Sequence, residues 1–210
     1  MNYELYGATG AGSAIVEAML TLAGAPYDMI EAAPWEEGPH IARLRALNPL
    51  AQVPTLVLPD GAVLTESAAI ALYLAERYPG AGLAPGPQDA ERARFLRWLV
   101  FLVANVYATF TIGDEPSRWV DGEAAQSALR HSTDEYRKKL WINIEGEAAA
   151  APWFLGAGFS ALDVFIAAMV HWRPRRAWFS EHCPKLDIIA SALAHRPELA
   201  GVWARNFPAT

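Results

Sequence analysis

The chain has 210 residues, of which 53% are hydrophobic and 19% are charged, and its formal net charge is −6. This composition excludes a disordered chain, because enough apolar surface is present to form a core. The length suits one large domain or two small ones. The negative charge argues against a nucleic-acid-binding protein, since phosphate contacts require a basic surface. The single cysteine, Cys183, excludes an internal disulfide and fits a reducing compartment.

The sequence contains no segment that we expect to leave the cytoplasm or enter a membrane. The first residues, 1–5, lack the basic and apolar regions of a signal peptide. The most apolar run, 98–112, is shorter than the roughly 20 residues that a membrane span needs. We therefore expect a soluble, cytoplasmic protein in which this run is a buried helix.

The first part of the chain changes its hydrophobic period repeatedly, as expected for alternating strands and helices. Pro59-Asp60-Gly61 supplies turn residues between two apolar runs and predicts a hairpin. The predicted elements are a strand at 3–6, a helix at 13–23, a strand at 27–31, a helix at 41–47, strands at 55–58 and 62–64, and a helix at 67–78. Strand-helix-strand units pair in parallel and hairpins pair antiparallel, so the order βαβαββα predicts a mixed sheet of four strands.

The second part is predicted to be entirely helical. A segment rich in proline and glycine, 79–88, is the expected linker. The predicted helices beyond it are 89–110, 123–149, 160–172, 185–195 and 198–205. The cluster of Arg173, Arg175 and Arg176 around a proline predicts a solvated loop. The chain is therefore divided into a domain at 1–78, the linker, and an all-helical domain at 89–210.

Four motifs, in this order and spacing, resemble those of the cytosolic glutathione transferases. They are Leu5-Tyr6-Gly7, Gln52-Val53-Pro54-Thr55-Leu56, Glu66-Ser67-Ala68-Ala69-Ile70 and Phe159-Ser160-Ala161-Leu162-Asp163. The resemblance implies a thioredoxin-like first domain that binds glutathione and a helical domain that completes the cleft for the acceptor. It also implies glutathione as co-substrate without a metal, a hydrophobic small-molecule acceptor, a role in detoxification, and a homodimer that contacts neither nucleic acid nor membrane.

The resemblance places the glutathione-binding residues at the Val-Pro and Glu-Ser pairs. Val53 and Pro54, joined by a cis peptide bond in the family, would present backbone groups to the extended tripeptide. Glu66 and Ser67 would hold its γ-glutamyl group, although capping of the next helix explains the same pair. Gln52 would also contact the ligand. His40, or Arg43 on the same helix, would contact the glycine carboxylate.

The residue that stabilises the glutathione thiolate is open among three hydroxyl groups near the first strand-helix junction. Ser13 opens the helix and could aim its hydroxyl into the site, although an ordinary N-cap explains it equally well. Thr9 and Tyr6 are the alternatives, and a strand tyrosine packed in the core explains Tyr6. Backbone N–H groups of the glycine-rich loop form a further alternative. No cysteine lies at this junction, and Cys183 is expected to be buried.

The acceptor is expected to bind against the first helix of the second domain, where apolar surface comes from Trp98, Phe101, Tyr107 and Phe110 and the candidate contact is Tyr107. The resemblance thus predicts a glutathione S-transferase, an enzyme that transfers alkyl or aryl groups by adding the glutathione thiolate to hydrophobic electrophiles. The alternative is a protein on the same fold that binds glutathione or hydrophobic ligands without turnover.

Overall fold

A small mixed sheet with helices on both faces is joined to a larger helical part. The computed structural model describes residues 1–149, 152–156 and 158–208. The elements of the first part are β1 (Tyr3–Gly7), α1 (Ser13–Leu22), β2 (Tyr27–Glu31), α2 (Ile41–Leu47), β3 (Thr55–Val57), β4 (Val63–Leu64) and α3 (Ser67–Arg77). The helices of the second part are α4 (Arg92–Phe101), α5 (Tyr107–Asp114), α6 (Glu123–Glu147), α7 (Ala161–Met169), α8 (Arg176–His182), α9 (Pro184–Ala194) and α10 (Ala200–Asn206). The predicted fold class is confirmed.

The sheet has the order β2-β1-β3-β4 and is mixed, as predicted. Strands β1 and β2 are parallel, and both β3 and its hairpin partner β4 are antiparallel to their neighbours.

Gly24 ends α1 as expected, because its φ of 61° is accessible to glycine. The next N–H, of Ala25, donates to the carbonyl of Leu20.

Side chains alternate across β1 and connect the sheet to two separate apolar clusters. Tyr3 and Leu5 pack into the large cluster that extends through α1 and α3 into the helical part. Tyr6 faces the other side of the sheet and packs with Ile41 and Leu44 of α2. This alternation follows from the two-residue period of a strand.

The helical run Arg92–Asp114 is long and apolar enough, by length and composition, to cross a membrane. In the structure it consists of α4, a π-helical turn at Leu102–Val106, and α5. Its apolar face, including Phe95 and Trp98, is buried in the core. The run therefore packs as a central helix of the helical part, as the sequence indicates.

One helix was not predicted. The arginine cluster was expected to form only a loop, but Arg176 begins α8 and ion-pairs with Asp187 of α9, with Nε and Oδ1 2.9 Å apart. The short helix follows a proline and carries few apolar residues, so its periodicity is weak. Its place is set by packing of Phe179, which is fully buried.

The start of α7 has the predicted capping-box arrangement of Ser160 and Asp163. The Asp163 carboxylate accepts the N–H of Ser160 at 2.8 Å and also the N–H of Phe154 at 2.7 Å. Asp163 therefore stabilises the position of Phe154 as well as the start of the helix. Burial raises the pKa of Asp163 to about 6, against the lowering effect of these hydrogen bonds.

Because this folded-state pKa lies above the ordinary aspartate value, the folded protein holds the Asp163 proton at a pH where the unfolded chain has lost it. We expect the free energy of unfolding of the parent to gain about 2 kcal/mol relative to Asp163→Asn as the pH falls from about 7 to about 4. Urea unfolding at several pH values measures this difference. Asp121→Asn, which changes an exposed carboxylate, should show no such trend. If the difference in free energy of unfolding between the parent and Asp163→Asn does not change with pH, the raised pKa of Asp163 is contradicted.

Candidate functional site

Four chain segments meet at one edge of the sheet. Gly7 at the end of β1 lies opposite Glu31 at the end of β2, because these strands are parallel. Strand β3 runs the other way, and Thr55 at its start lies opposite Tyr6. Strand β4 again ends at this edge, with Leu64 opposite Leu56. The loop after β1, the Val-Pro step before β3 and the Glu-Ser pair after β4 therefore share this edge.

Ser13, the first residue of α1, holds the loop between β1 and α1 through its side chain. The side chain of Ser13 is fully buried. Its hydroxyl accepts the N–H of Ala8 at 3.0 Å and donates to the carbonyl of Ala8 at 3.1 Å. Both hydrogen bonds stabilise the loop, so the hydroxyl is directed away from the edge where a ligand would lie. The expectation that Ser13 aims its hydroxyl into the site does not agree with this placement.

The same loop is also held by two residues of the helical part, Asn206 and Trp172. The N–H of Gly10 donates to the side-chain oxygen of Asn206 at 3.2 Å, and its carbonyl accepts the indole N–H of Trp172 at 2.7 Å. Gly10 has a φ of 73°, a conformation that side chains disfavour. Both backbone polar groups of Gly10 are thus fixed by the helical part.

A buried carboxylate in α1 connects this anchor to the rest of the molecule. Glu17 is fully buried and accepts the side-chain amide of Asn206 at 2.8 Å and the hydroxyl of Tyr27 at 3.2 Å. It also forms an ion pair with Arg205. The charge of Glu17 is therefore compensated, as a buried carboxylate requires.

A cleft of about 400 Å³ opens between the loop and the helical part. Its walls are mostly aromatic, and its outer end is charged. The lining residues are Thr9, Gly10, Ala11, Gly12, Trp35, Tyr107, Phe110, Asp114, Trp172, Arg173 and Arg175. The aromatic walls suit a flat apolar ligand placed directly beside the start of α1.

The hydroxyl of Tyr107 lies at the base of this cleft against Gly12. A Cβ atom added to Gly12 would stand only 2.8 Å from this oxygen, so a glycine is needed for the approach. The hydroxyl is buried and has no hydrogen-bond partner within residues 1–149, 152–156 and 158–208. Burial raises the pKa of Tyr107, which keeps the group a neutral hydrogen-bond donor. Tyr107 follows the π-helical turn, and its ring contacts that of Trp172 with centroids 5.5 Å apart.

The other two candidates for the catalytic hydroxyl are placed differently from each other. Thr9 lines the cleft and is exposed; its N–H and its hydroxyl donate to Glu31 at 3.2 and 3.4 Å. Tyr6 is buried on the α2 side of the sheet, where its hydroxyl donates to Glu4 at 3.4 Å. Tyr6 therefore packs in the core and does not reach the cleft.

The predicted glutathione-binding residues lie at the shared edge but do not line the cleft itself. The Val53-Pro54 peptide bond is cis, as expected. The carbonyl of Gln52 accepts the hydroxyl of Thr55 at 2.8 Å, while its side chain is exposed. His40 is exposed immediately before α2.

Glu66 and Ser67 form the junction between β4 and α3. Glu66 is exposed and has a φ of 64°, in a region that non-glycine residues rarely adopt. The side chain of Glu66 does not cap α3, so the capping explanation of the pair is not supported. A conformation of this kind costs about 1–3 kcal/mol and persists where its surroundings require it.

Cys183 is buried, as expected. Its burial, with a smaller contribution from Glu145, raises the pKa of the thiol to about 12. The thiol is therefore neutral at physiological pH and unsuited to act as a nucleophile.

Several cleft residues were not identified from the sequence. Trp35 and Trp172 form its walls together with Phe110, which the sequence places among the aromatic residues on the acceptor side, and Arg173 and Arg175 form its charged end. Aromatic residues at helical spacing are usually core, and periodicity does not say which of them face a cleft. For the charged end, the sequence signal is the arginine cluster, which by itself predicts only a solvated loop.

The anchor at Gly10 yields a test of stability. Replacing Asn206 with Ala should lower the free energy of unfolding by about 2–3 kcal/mol, because the N–H of Gly10 and the carboxylate of Glu17 each lose a buried partner. Urea denaturation measures the loss, and Asn143→Ala on the exposed surface of α6 is the control. A loss within about 0.5 kcal/mol, as for an ordinary surface substitution, would show that the anchor contributes little.

Sequence comparison gives relatives for nearly the whole chain. A family model described as the N-terminal domain of glutathione S-transferase matches residues 13–77. The chain is 41% identical over 204 residues to YncG of Escherichia coli (strain K12), described as an uncharacterized GST-like protein, which covers 97% of this chain and 98% of the relative. It is 26% identical over 159 residues to the glutathione S-transferase GstA of Escherichia coli O157:H7, covering 73% of each chain.

Solved structures show the same fold. A glutathione transferase homolog from Sulfitobacter, with bound glutathione, superposes with a TM-score of 0.84 at 23% identity over 96% of each chain. A sphingomonad glutathione S-transferase in complex with glutathione superposes with a TM-score of 0.79 at 26% identity, covering 98% of this chain and 100% of that chain. The first part of the chain is thus a thioredoxin-like domain, and the protein belongs to the cytosolic, bacterial-type glutathione transferase family.

Proposed function

We propose that this protein is a glutathione S-transferase that adds the glutathione thiolate to hydrophobic electrophiles. The observation that carries the proposal is the aromatic cleft, which opens beside the start of α1 at the sheet edge where the Val-Pro and Glu-Ser pairs lie. Residues 1–78 would bind glutathione, and residues 89–210 would form the side of the cleft that binds the acceptor substrate. A cytoplasmic homodimer with a role in detoxification is part of this proposal.

Free backbone groups support a peptide ligand beside β3. Within the part of the chain that the structure describes, neither the N–H nor the C=O of Val53 has a hydrogen-bond partner. An extended tripeptide can pair with both groups as an added strand would. The solved relatives from Sulfitobacter and a sphingomonad hold glutathione, and the same ligand is proposed here. Gln52 and His40 are exposed and would contact it from the rim.

The γ-glutamyl group would bind at the junction before α3. Ser67 has no hydrogen bond to its hydroxyl among the described residues, and its position at the helix start directs N–H groups outward. These donors suit the γ-glutamyl carboxylate. The exposed carboxylate of Glu66 can pair with the ammonium group. The unusual φ of Glu66 is consistent with a residue held in place for binding.

The thiolate would lie at the start of α1. A cysteine-type thiol has a pKa of about 8.5, so it is mostly protonated at neutral pH unless donors stabilise the thiolate. The N–H groups at the start of this helix and its positive dipole end supply such donors. The hydroxyl of Tyr107, which has no acceptor in the described chain, lies against Gly12 at the same place. We therefore assign the stabilising hydroxyl to Tyr107 in preference to Ser13 or Tyr6, with Thr9 as the alternative.

The binding site is tested by thermal unfolding with and without glutathione. Glutathione at about 100 times its dissociation constant should add roughly 2.7 kcal/mol, which raises the unfolding temperature of a chain of this size by about 5–10 °C. Glu66→Ala should abolish the shift, whereas Glu76→Ala, on the exposed surface of α3, should retain it. If the parent shows no shift at any concentration, the chain has kept the family fold without its ligand.

The thiolate assignment is tested by the pH dependence of bound glutathione. Tyr107→Phe should raise the pKa of the bound thiol and lower kcat/KM at neutral pH by about tenfold to a hundredfold, while glutathione affinity changes little. Thiolate absorbance and rates measured from pH 5 to about 9 give both quantities, with Tyr136→Phe on the exposed surface as control.

The same titration separates the enzyme from a carrier. Loss of rate in Thr9→Ala but not in Tyr107→Phe would move the assignment to Thr9. If the parent binds glutathione with a thiol pKa of about 8.5 and shows no turnover, it is a binding protein and the catalytic proposal is wrong.

A further inference from the structure

The charged end of the cleft, formed by Asp114, Arg173 and Arg175, joins a balanced network that extends beyond the cleft lining. Arg173 pairs with both Asp114 and Asp134, and Asp134 also pairs with the buried Arg137 at 2.7 Å. Two acids and two arginines therefore neutralise one another. Arg175 lines the same cleft and forms no ion pair within residues 1–149, 152–156 and 158–208. The cleft thus has one uncompensated positive charge in a chain whose net charge is −6.

Arg175 is held in place by its backbone. Its φ of 81° lies in the left-handed region that side chains disfavour, and its N–H donates to the carbonyl of Trp172 at 2.6 Å. Trp172 is itself fixed by its hydrogen bond to Gly10. One guanidinium nitrogen of Arg175 donates to the carbonyl of His171 at 2.9 Å. The other N–H groups of this guanidinium have no acceptor among the described residues. The backbone of Arg175 is thus fixed at the cleft, while its side chain is exposed to solvent.

We propose that the acceptor substrate is a planar aromatic electrophile that carries an anionic group, such as a carboxylate, and that Arg175 binds this group. The inference rests on the proposed glutathione transferase function. The aromatic ring would lie against Phe110 and Trp172, with its reacting carbon toward the start of α1. A planar guanidinium with free donors binds a carboxylate in two parallel hydrogen bonds, which fixes orientation as well as charge.

A reaction that suits this arrangement is aromatic substitution. The glutathione sulfur forms a bond to the ring carbon, the carbon-chlorine bond of a chloronitrobenzoate breaks, and chloride leaves with its electron pair. The thiol proton is released to solvent, so glutathione and the aryl chloride give the conjugate, chloride and a proton. The anionic group takes no part in the bond changes and acts only in binding.

The test compares two acceptors that differ only in charge. The probes are the glutathione conjugates of 4-chloro-3,5-dinitrobenzoate and of the neutral 4-chloro-3,5-dinitrobenzamide, titrated calorimetrically into the parent, Arg175→Gln and Arg118→Gln. We expect the parent to bind the carboxylate conjugate about fivefold more tightly, as one partly exposed ion pair allows. Arg175→Gln should remove this preference and leave affinity for the amide conjugate unchanged. Arg118→Gln, an exposed arginine outside the cleft, should retain it.

The remaining outcomes each overturn the inference for a distinct reason. Equal affinity of the parent for both conjugates would show that the cleft does not select an anion. Equal weakening of both conjugates and of glutathione by Arg175→Gln would place Arg175 at the glutathione carboxylate. A separate titration with glutathione alone identifies failure of the proposed function, because neither glutathione nor either conjugate would then bind.

Discussion

The arrangement of the site depends on four hydrogen bonds that fix the loop between β1 and α1. The hydroxyl of Ser13 hydrogen-bonds to the N–H and the carbonyl of Ala8. The side chains of Asn206 and Trp172 hydrogen-bond to the N–H and the carbonyl of Gly10, respectively. A loop with small residues has high conformational freedom, which these bonds remove. The start of α1 can therefore present N–H groups in one fixed position. Because two of the four bonds come from Trp172 and Asn206 of the helical part, this part has to fold onto the first part before the site exists.

The buried polar groups fall into two kinds that suggest different roles. Glu17, Asp163 and Arg137 are fully buried, and each has several hydrogen-bond or charge partners. Removal of such a partner leaves an unsatisfied group, so these clusters act as structural connections. The hydroxyl of Tyr107 and the indole N–H groups of Trp98 and Trp141 are buried without a partner among the described residues, and of these three only Tyr107 lines the cleft. A polar group that the protein leaves unsatisfied at a cleft is the kind that a ligand can complete.

The elements near the sheet were predictable because their signals are local. Strand alternation, the turn at Pro59-Asp60-Gly61 and the glycine after α1 depend on neighbouring residues only, and the observed boundaries lie close to the predicted ones. The helix α8 was missed because a seven-residue helix with one buried side chain has almost no periodicity. The Ser13 hydroxyl lies elsewhere than expected, since its direction depends on the path of the preceding loop. A serine at a helix start fits a cap, a ligand contact and a loop anchor equally well.

The sequence by itself determined the class of fold, the family resemblance and the positions of the Val-Pro and Glu-Ser pairs, because motif order and spacing are properties of the chain. The tertiary structure decided which side chains share a cleft. Thr9, Tyr107 and Arg175 are separated by long stretches of sequence and meet only when the helical part packs against the sheet edge. It also decided that Tyr6 faces the core and that, within the described residues, Arg173 is neutralised while Arg175 is not. These facts depend on strand register, helix rotation and charge pairing, which are set by long-range packing and by no local pattern.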